Sequence, residues 1–504
     1  MKMATQQDHA QAGDGSGKGL VLPGLIVGLL TGLAIYGVVE FWIDDVDDKP
    51  LPITVLFFIA TAAASYLLLA ERRQFAKAAV AALAIAALLA LPDFYMASVA
   101  GNEDANLSSF PPMFWFVTSR SLVFFLMLTL VKASLDDGAP THYSQVFFHG
   151  LTLPLIAGGA KIFAVLALLL LFAWARLLKE LDVNFFNELF QEPWFLMPFL
   201  GAIGGASIAM MRGQQAVLGA LRFVLLLLAR ILMLITALFT ITLLIVLATK
   251  GIDVVFERAY PGAWMIGLAL LGMLIFNGVY QNGEGGPPPF WLRLPTLITL
   301  IGFPVYAGLA FYALSLRIGD YGLTPPRIAG LVVTGLTAAY SVVCLAGLLT
   351  ELNWRGRKWM PLVGSLNTLM AVGWIIALTA LATPIVNPWA ISAQSQFDRI
   401  ASQRVSAEEF DFGYLRFELG QHGEKMLDRM LSLSDHPEAT AIRAGIDRAR
   451  SAKSYWEYKN PDAYLPTVIP EPDENGPMSL ELNPEDADAV EDLDAAETAP
   501  PDNE

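Results

Sequence analysis

The sequence predicts an all-α fold: a polytopic bundle of transmembrane helices with a small C-terminal helical domain and a disordered acidic tail. Eleven long apolar segments fill residues 20–386 almost without interruption, and each is close to the roughly 20 residues needed to cross a bilayer. In lipid, the backbone of such a segment can satisfy its polar groups only as a helix. Nine of the eleven Trp residues lie near segment ends, as indoles at a membrane interface do.

The predicted spans share a nearly continuous apolar character. They are Leu20–Trp42, Leu51–Ala70, Ala76–Leu91, Met113–Val131, Leu151–Ala175, Trp194–Met211, Val217–Thr249, Pro261–Tyr280, Leu294–Leu316, Ile328–Thr350 and Met360–Val386. Ala76–Leu91 is short, whereas Val217–Thr249 is too long for a single upright helix and contains Arg230. An alternative therefore places residues 217–230 in the membrane interface as an amphipathic helix.

Composition divides the chain into four parts: a polar segment (1–19), the bundle (20–386), a small amphipathic helical domain (387–460) and a tail (461–504). From 467 to 504 the tail carries 13 Asp and Glu and no Lys or Arg. Subtracting those charges from the net −15 leaves −2 for the rest of the chain. We expect such a tail to be disordered, and it is a candidate docking segment for a protein partner, together with residues 387–460.

Several classes of function are disfavoured by what the sequence lacks. No basic stripe predicts nucleic-acid binding. Cys344 is the single cysteine, which excludes a disulfide within one chain. His142 and His149 match no zinc spacing, and no phosphate-binding loop or nucleophile motif lies in a suitable context. We therefore expect no metal, no cofactor and no assignable catalytic residue.

The distribution of basic residues predicts the orientation. With the N-terminus in the cytoplasm, the inside loops hold 12 Lys and Arg and the outside loops hold 7, which agrees with the positive-inside rule. Eleven spans then place the C-terminal domain in the periplasm. Residues 1–19 and the long first segment do not form a cleavable signal peptide, so we expect the segment to remain as an anchor.

Three helices are predicted after the last span. The first, Ser392–Gln403, is amphipathic, with Phe397 and Ile400 on one face. The capping-box sequence Ser406–Glu409 predicts the start of a second helix, with a break near Gly420. Asp435–Glu438 predicts a further N-cap, opening a helix to about residue 456.

This junction resembles a known family. The residues that carry the resemblance are Asn387-Pro388-Trp389-Ala390-Ile391-Ser392, Ser395-Gln396, Arg404-Val405-Ser406-Ala407-Glu408-Glu409-Phe410-Asp411-Phe412 and Leu415-Arg416-Phe417. They are similar to the "domain of unknown function 4153" family of bacterial integral membrane proteins, most specifically across residues 390–430. The resemblance implies residence in a bacterial inner membrane and implies no particular activity.

Ionisable groups at bilayer depth are the best clues to function, because each is costly to place there. Lys161 lies eleven residues into its span, about 15 Å deep by helical rise, and predicts a binding charge for an anionic solute or a lipid phosphate. Arg222 and Arg230 share roughly one helix face and are candidates to bind the same ligand. The alternative for both is snorkelling from an interfacial helix, which is also expected of Arg120.

Two further patterns concern coupling and packing. Glu40 and Asp93 lie at segment ends, so no predicted span holds a central carboxylate, which disfavours a cation-coupled carrier. Gly24, Gly28 and Gly32 form two GxxxG steps that predict close packing of the first helix. The partner is another helix of the bundle or, alternatively, a second copy of the chain.

Three functional interpretations follow. The first is a transport-class protein that binds or moves an anionic or lipidic solute through the bundle near Lys161 and Arg230. The second is a non-enzymatic envelope scaffold or assembly factor that acts through its C-terminal domain. The third, ranked below both, is an intramembrane transferase or hydrolase acting on a lipid-linked substrate with carboxylates of the loops at 44–48 and 102–104.

Overall fold

The computed structural model describes residues 19–43, 49–71, 74–100, 111–138, 142–256, 261–352 and 359–460. These residues are almost entirely helical and contain no β-strand. Eleven of the helices are long and apolar enough to cross a membrane, which confirms the predicted all-α class. The protein is therefore a multi-pass integral membrane protein.

The membrane helices follow the predicted spans but extend beyond most of them. They are α1 (Val21–Val38, continued by a π-helical turn, Val39–Ile43), α2 (Pro50–Leu69), α3 (Phe75–Ala100), α4 (Pro111–Asp137), α5 (Tyr143–Lys179), α7 (Pro193–Gly213), α8 (Gln215–Lys250), α10 (Pro261–Tyr280), α11 (Phe290–Tyr321), α12 (Pro325–Leu352) and α13 (Pro361–Leu381).

Shorter helices connect or follow the spans. They are α6 (Phe185–Leu189), α9 (Asp253–Phe256), a 3-10 turn (Pro384–Val386), α14 (Pro388–Ala401), α15 (Phe412–Glu418), α16 (Gly420–Leu431), α17 (Ala439–Ser451) and α18 (Tyr455–Lys459). Residues 1–455 form one compact unit and residues 456–504 a second. The predictions of a polar N-terminal segment and of a disordered tail concern residues 1–18 and 461–504, which lie outside the described residues.

The two predicted spans of unusual length, Ala76–Leu91 and Val217–Thr249, are both regular helices in the structure. Helix α3 continues nine residues beyond the predicted end at Leu91, passing through Pro92 without interruption. The alternative that separated residues 217–230 from the span is wrong, because α8 is continuous from Gln215 to Lys250.

The starts of the C-terminal helices differ from the predicted ones. Ser406 Oγ accepts a hydrogen bond from the amide of Glu409, but this motif closes a turn, and α15 begins only after Asp411, whose carboxylate caps it. The predicted break near Gly420 is confirmed, since α15 and α16 are separate there and Gly420 has a φ of +50°. Helix α17 begins at Ala439, later than predicted, and ends at 451.

Helix α1 packs against α7 with its backbone in contact. A Cβ added to Gly24 would lie 2.6 Å from the carbonyl oxygen of Gly205, and one added to Gly28 would overlap the carbonyl of Gly201. Gly32 lies against the backbone of the same helix. Only glycine allows two helices to approach this closely, so the three positions determine how α1 sits on the bundle.

Candidate functional site

A buried ion pair lies inside the first half of the bundle. The carboxylate of Asp93 is 2% exposed and accepts two hydrogen bonds from Arg120, at 2.6 Å from Nε and 2.8 Å from Nη2. The same Nη2 donates to Thr61 Oγ1 at 2.7 Å, and the guanidinium lies 4.9 Å from the ring centroid of Phe57. Three helices, α2, α3 and α4, are therefore joined by one arginine.

This pair corrects two predictions. Thr61 lies near the middle of α2, roughly 12 to 17 Å from its two ends by helical rise, so the charges are deep within the span. Asp93 is therefore not at a segment end, and Arg120 does not snorkel. The argument from missing carboxylates against a coupled carrier fails for the same reason.

A second charged cluster lies near the end of α2. The Lys132 ammonium is 5% exposed and pairs with Glu71 and, at 2.8 Å, with Asp136. His149 Nε2 lies 3.0 Å from the other oxygen of Asp136. Arg212 donates to a backbone carbonyl of α2 at 2.8 Å. Here too each buried charge has a partner, which is the condition for keeping it in a low-dielectric interior.

The three cations predicted to bind a ligand make different contacts. Lys161 is exposed on α5. Arg222 is half-buried: it donates to Thr152 Oγ1 at 3.2 Å, and its guanidinium lies 4.4 Å from the ring centroid of Phe148. Thr152 precedes Lys161 by nine residues, half a turn out of phase, so Arg222 contacts the opposite face of α5. Arg230 is exposed and lines a small pocket at a different place.

Nothing in the described residues suggests a metal centre. No group of three or more His, Cys, Asp or Glu side chains is placed there to hold an ion. The loop carboxylates considered for an enzyme, at 44–48 and 102–104, lie outside the described residues.

An apolar cleft of about 680 Å³ lies between helices of the bundle. Helices α3 and α4 form one wall, α10, α12 and α13 form the others, and α14 and α15 border one end. Its volume lies within the range of about 300 to 1,000 Å³ that small-molecule pockets usually have. The wall residues are mainly Leu, Met, Ile, Val, Ala and Pro. The cleft is thus suited to hydrocarbon.

The cleft is deep, and it opens sideways. Leu274, on its wall, lies thirteen residues from the start of α10, which corresponds to about 20 Å along the helix. Leu274 is 71% exposed and Leu270 is 36% exposed. These side chains face the surface that a bilayer would cover, so a lipid chain could enter without crossing water.

Polar groups are concentrated at the end of the cleft that α15 borders. Burial, together with the nearby Asp411, raises the pKa of the Glu418 carboxyl. Burial also raises the pKa of Tyr414 to about 12, although a hydrogen bond with Ser392 opposes the shift. The phenol therefore stays neutral, and its oxygen can accept a hydrogen bond. Beside a long apolar cleft, these two groups make an amphipathic site.

Helix α14 holds this end in place by docking on the turn between α11 and α12. Ser392 Oγ donates to the carbonyl of Leu323 at 2.9 Å, and Gln396 Nε2 donates to the carbonyl of Tyr321 at 3.0 Å. Asn387 caps α14 through its side-chain oxygen. Residues that carry the family resemblance are thus the ones that dock the C-terminal helices onto the bundle.

The sequence predictions missed both the cleft and the ion pair. The cleft is lined by residues more than 300 positions apart in the chain, such as Met96 and Glu418, and no local sequence pattern predicts that they lie close together. The ion pair left a signal, since Asp93 follows an apolar run and precedes the apolar, aromatic run Phe94–Val99. A predicted span that continued through Pro92 would have included Asp93.

One of the comparisons with known proteins identifies a family. A family model described as "Domain of unknown function (DUF4153)" matches residues 53–430. The match confirms the resemblance and extends it over most of the bundle, well beyond residues 390–430. No curated protein and no solved structure matches the chain.

Proposed function

The chain belongs to the DUF4153 family, whose function is unknown, and we propose from the geometry of the cleft that this protein binds a lipidic molecule as part of a transport-class activity. The observation that carries the proposal is the apolar cleft of about 680 Å³ with Glu418 and Tyr414 at one end. Hydrocarbon would lie between the helices, and the polar part of the ligand would meet α15.

Two properties of the cleft favour a lipidic ligand over an anionic solute. No Lys or Arg is among the described residues that line it, so a phosphate or carboxylate would find no cation there. Each methylene that leaves water for an apolar site contributes about 0.8 kcal/mol. A lipid chain in the bilayer has already left water and has gained much of this free energy. Selectivity for the ligand therefore has to come from the shape of the cleft and from the two polar groups.

We propose the inner membrane of a bacterium as the location, with the N-terminus in the cytoplasm. The bias of Lys and Arg between loops supports this orientation. With eleven spans, the polar end of the cleft and residues 388–455 would then face the periplasm. Paired periplasm-active and cytoplasm-active reporters fused after Asn460 test this, and activity of only the cytoplasmic reporter would overturn it.

The scaffold and enzyme interpretations remain predictions. A protein partner for residues 387–504 is compatible with the proposal where it leaves Tyr414 and Glu418, which line the cleft, uncovered. The face formed by Gly24, Gly28 and Gly32 packs on α7, so self-association would use another surface. Neither the scaffold nor the enzyme interpretation requires a lipid in the cleft. Measuring whether lipid occupies the cleft therefore distinguishes both from the proposed function.

Photo-crosslinking measures that occupancy. The full chain is placed in nanodiscs that contain a phospholipid with a diazirine in its acyl chain, and labelled peptides are mapped by mass spectrometry. Ala329→Trp fills the wall of the cleft on α12, whereas Ala338→Trp makes the same change on the exposed face of that helix. The indole occupies volume that an acyl chain would otherwise fill, so labelling of the cleft peptides should fall in Ala329→Trp.

The control variant should label like the parent protein. Equal labelling of residues 118–126 and 266–274 in the two variants would overturn the proposal. Labelling spread evenly over all exposed helix faces of the parent protein would also overturn the proposal, because lipid would then bind the cleft no more than the rest of the surface.

A further inference from the structure

A second, smaller pocket lies at the other end of α10. The cleft end is near Pro261, where α10 begins, and the pocket is beside Tyr280, where the helix ends. Its volume is about 170 Å³, and its walls are Arg230, the loop from 281 to 289, and the indoles of Trp291 and Trp359. Unlike the cleft, it is lined by a cation, two amide side chains and peptide groups.

Arg230 lies in this wall without a protein partner. In the part of the chain that the structure describes, its guanidinium makes no hydrogen bond or ion pair, although its neighbours in α8 include Leu227 and Ile231, which are 44% and 49% exposed. A guanidinium on an apolar helix face keeps its charge and all five N–H donors. Such a group is favourable there when an anion accepts those bonds.

The loop opposite Arg230 is held in one conformation. Tyr280 Oη donates to the carbonyl of Met360 at 3.1 Å and accepts from the amide of Gly364 at 3.1 Å. The amide of Trp359 donates to the carbonyl of Gly285 at 3.1 Å. Ligand groups can therefore bind without first ordering the loop, which lowers the entropy cost of binding.

The composition of the loop suits an anion. Gly283, Gly285 and Gly286 line the pocket, and the lack of a side chain lets a ligand approach the peptide groups. Within the described residues, the amides of Gly285 and Gly286 donate to no protein acceptor. The acidic residue of the loop, Glu284, is not part of the pocket wall; its amide bonds Asn282 Oδ1 instead.

We infer that this pocket binds a phosphate group, held by the Arg230 guanidinium and by the peptide amides at Gly285 and Gly286. Arginine donors and free amides are the recurring ligands of phosphate in proteins. The site is separate from the proposed lipid cleft and does not depend on it. The phosphate could belong to a lipid headgroup at the membrane surface or to a soluble compound, and the experiment distinguishes the two.

Two variants address the two sides of the pocket. Arg230→Gln removes the cation. Gly285→Leu fills the pocket while leaving Arg230 intact, because a Cβ at Gly285 meets no protein atom within 4 Å and its φ is not in the left-handed region. Arg176→Gln is the matched control, since it removes one exposed arginine of α5, whose contact is an ion pair with Glu180 four residues further along the chain. An unchanged melting temperature in plain detergent shows that each variant is folded.

Binding is measured on the full chain with two probes. Inorganic phosphate is titrated in detergent, and phosphatidylglycerol is titrated into phosphatidylcholine nanodiscs, with retained lipid counted by native mass spectrometry. Arg230→Gln loses the charge-assisted hydrogen bonds and Gly285→Leu fills the pocket, so each should weaken binding of the responding probe by about tenfold or more. Arg176→Gln should not change that binding. A response to lipid alone assigns the site to a headgroup, and a response to inorganic phosphate assigns it to a soluble phosphate.

Two results would overturn the inference. One is that neither probe binds the parent protein above the level seen with Arg230→Gln. The other is that Arg176→Gln weakens binding as much as the pocket variants do, which would mean that phosphate responds only to surface charge.

Discussion

The two halves of the bundle are packed to different degrees. In the N-terminal half (α1–α7), 11% to 33% of each span's most apolar window is buried. In the C-terminal half, the corresponding share is 39% for α10 and for α12 and 50% for α11, whereas it is 17% for α8 and for α13. There, Phe276, Phe303 and Tyr306 are almost completely buried. Dense packing is thus confined to α10, α11 and α12, and every other span, including all those of the N-terminal half, has a smaller buried share.

The halves also differ in the chemistry of their buried polar groups. The N-terminal half uses charges, as in the Asp93–Arg120 pair. The C-terminal half uses neutral groups: Asn277 Nδ2 donates to Tyr340 Oη at 2.9 Å, and Asn367 Nδ2 donates to Asn277 Oδ1 at 2.7 Å. Since lipid supplies no hydrophobic force between helices, strong polar contacts lie where packing is thin. The cleft runs along the boundary between the two halves.

Removing one member of the charged pair should have the largest effect on stability. Arg120→Gln leaves the buried Asp93 carboxylate without its cation, and breaking such a pair costs about 3–5 kcal/mol. The expected result is a loss of that size in the free energy of unfolding, measured by SDS titration in mixed micelles. The double variant Asp93→Leu/Arg120→Leu leaves no charge unpaired, so it should recover most of the loss. A loss below 1 kcal/mol in Arg120→Gln would contradict the view that charges hold this half together.

The same contrast explains what could be predicted from sequence. Length and apolar composition determine which segments become membrane helices, so the class and the number of spans followed from the residues. Glycine spacing pointed to Gly24, Gly28 and Gly32, because a missing Cβ is a local property. The positions of helix ends were harder to predict, because α3 continues through Pro92 and α15 begins only after its cap, Asp411.

The candidate sites could not be predicted in the same way. Asp93 and Arg120 are on separate helices, and their pairing depends on how α3 and α4 pack. The cleft depends on the docking of α14 near Leu323, a contact between distant parts of the chain. Lys161 was a candidate because it lies deep in its span, but depth does not reveal which face of α5 carries it.

Glycine contacts provide a second, smaller test of the N-terminal half. Gly28→Ala places a methyl group where the carbonyl of Gly201 lies, so α1 must move away from α7. Overpacking of this kind costs typically 1–3 kcal/mol. Gly37→Ala is the matched control, because a Cβ at Gly37, in the same helix, meets nothing within 4 Å. Thermal unfolding in detergent should show a lower midpoint for the first variant only, and equal midpoints would mean that α1 adjusts at no cost.

The smallest effect is expected for the neutral contacts of Asn367 on α13, where Asn367→Ala removes two hydrogen bonds between helices, to Tyr143 Oη of α5 at 3.1 Å and to Asn277 Oδ1 of α10 at 2.7 Å. Interhelical hydrogen bonds in membranes contribute about 0.6 kcal/mol each, so the free energy of unfolding should fall by about 1 kcal/mol. Thr368→Ala is the control, because that hydroxyl bonds only within its own helix. If Asn367→Ala destabilised the protein as much as Arg120→Gln, neutral contacts would be as critical as charged ones. Dense aromatic packing around the neutral contacts would then not compensate for their loss, and the two kinds of contact would contribute equally to stability.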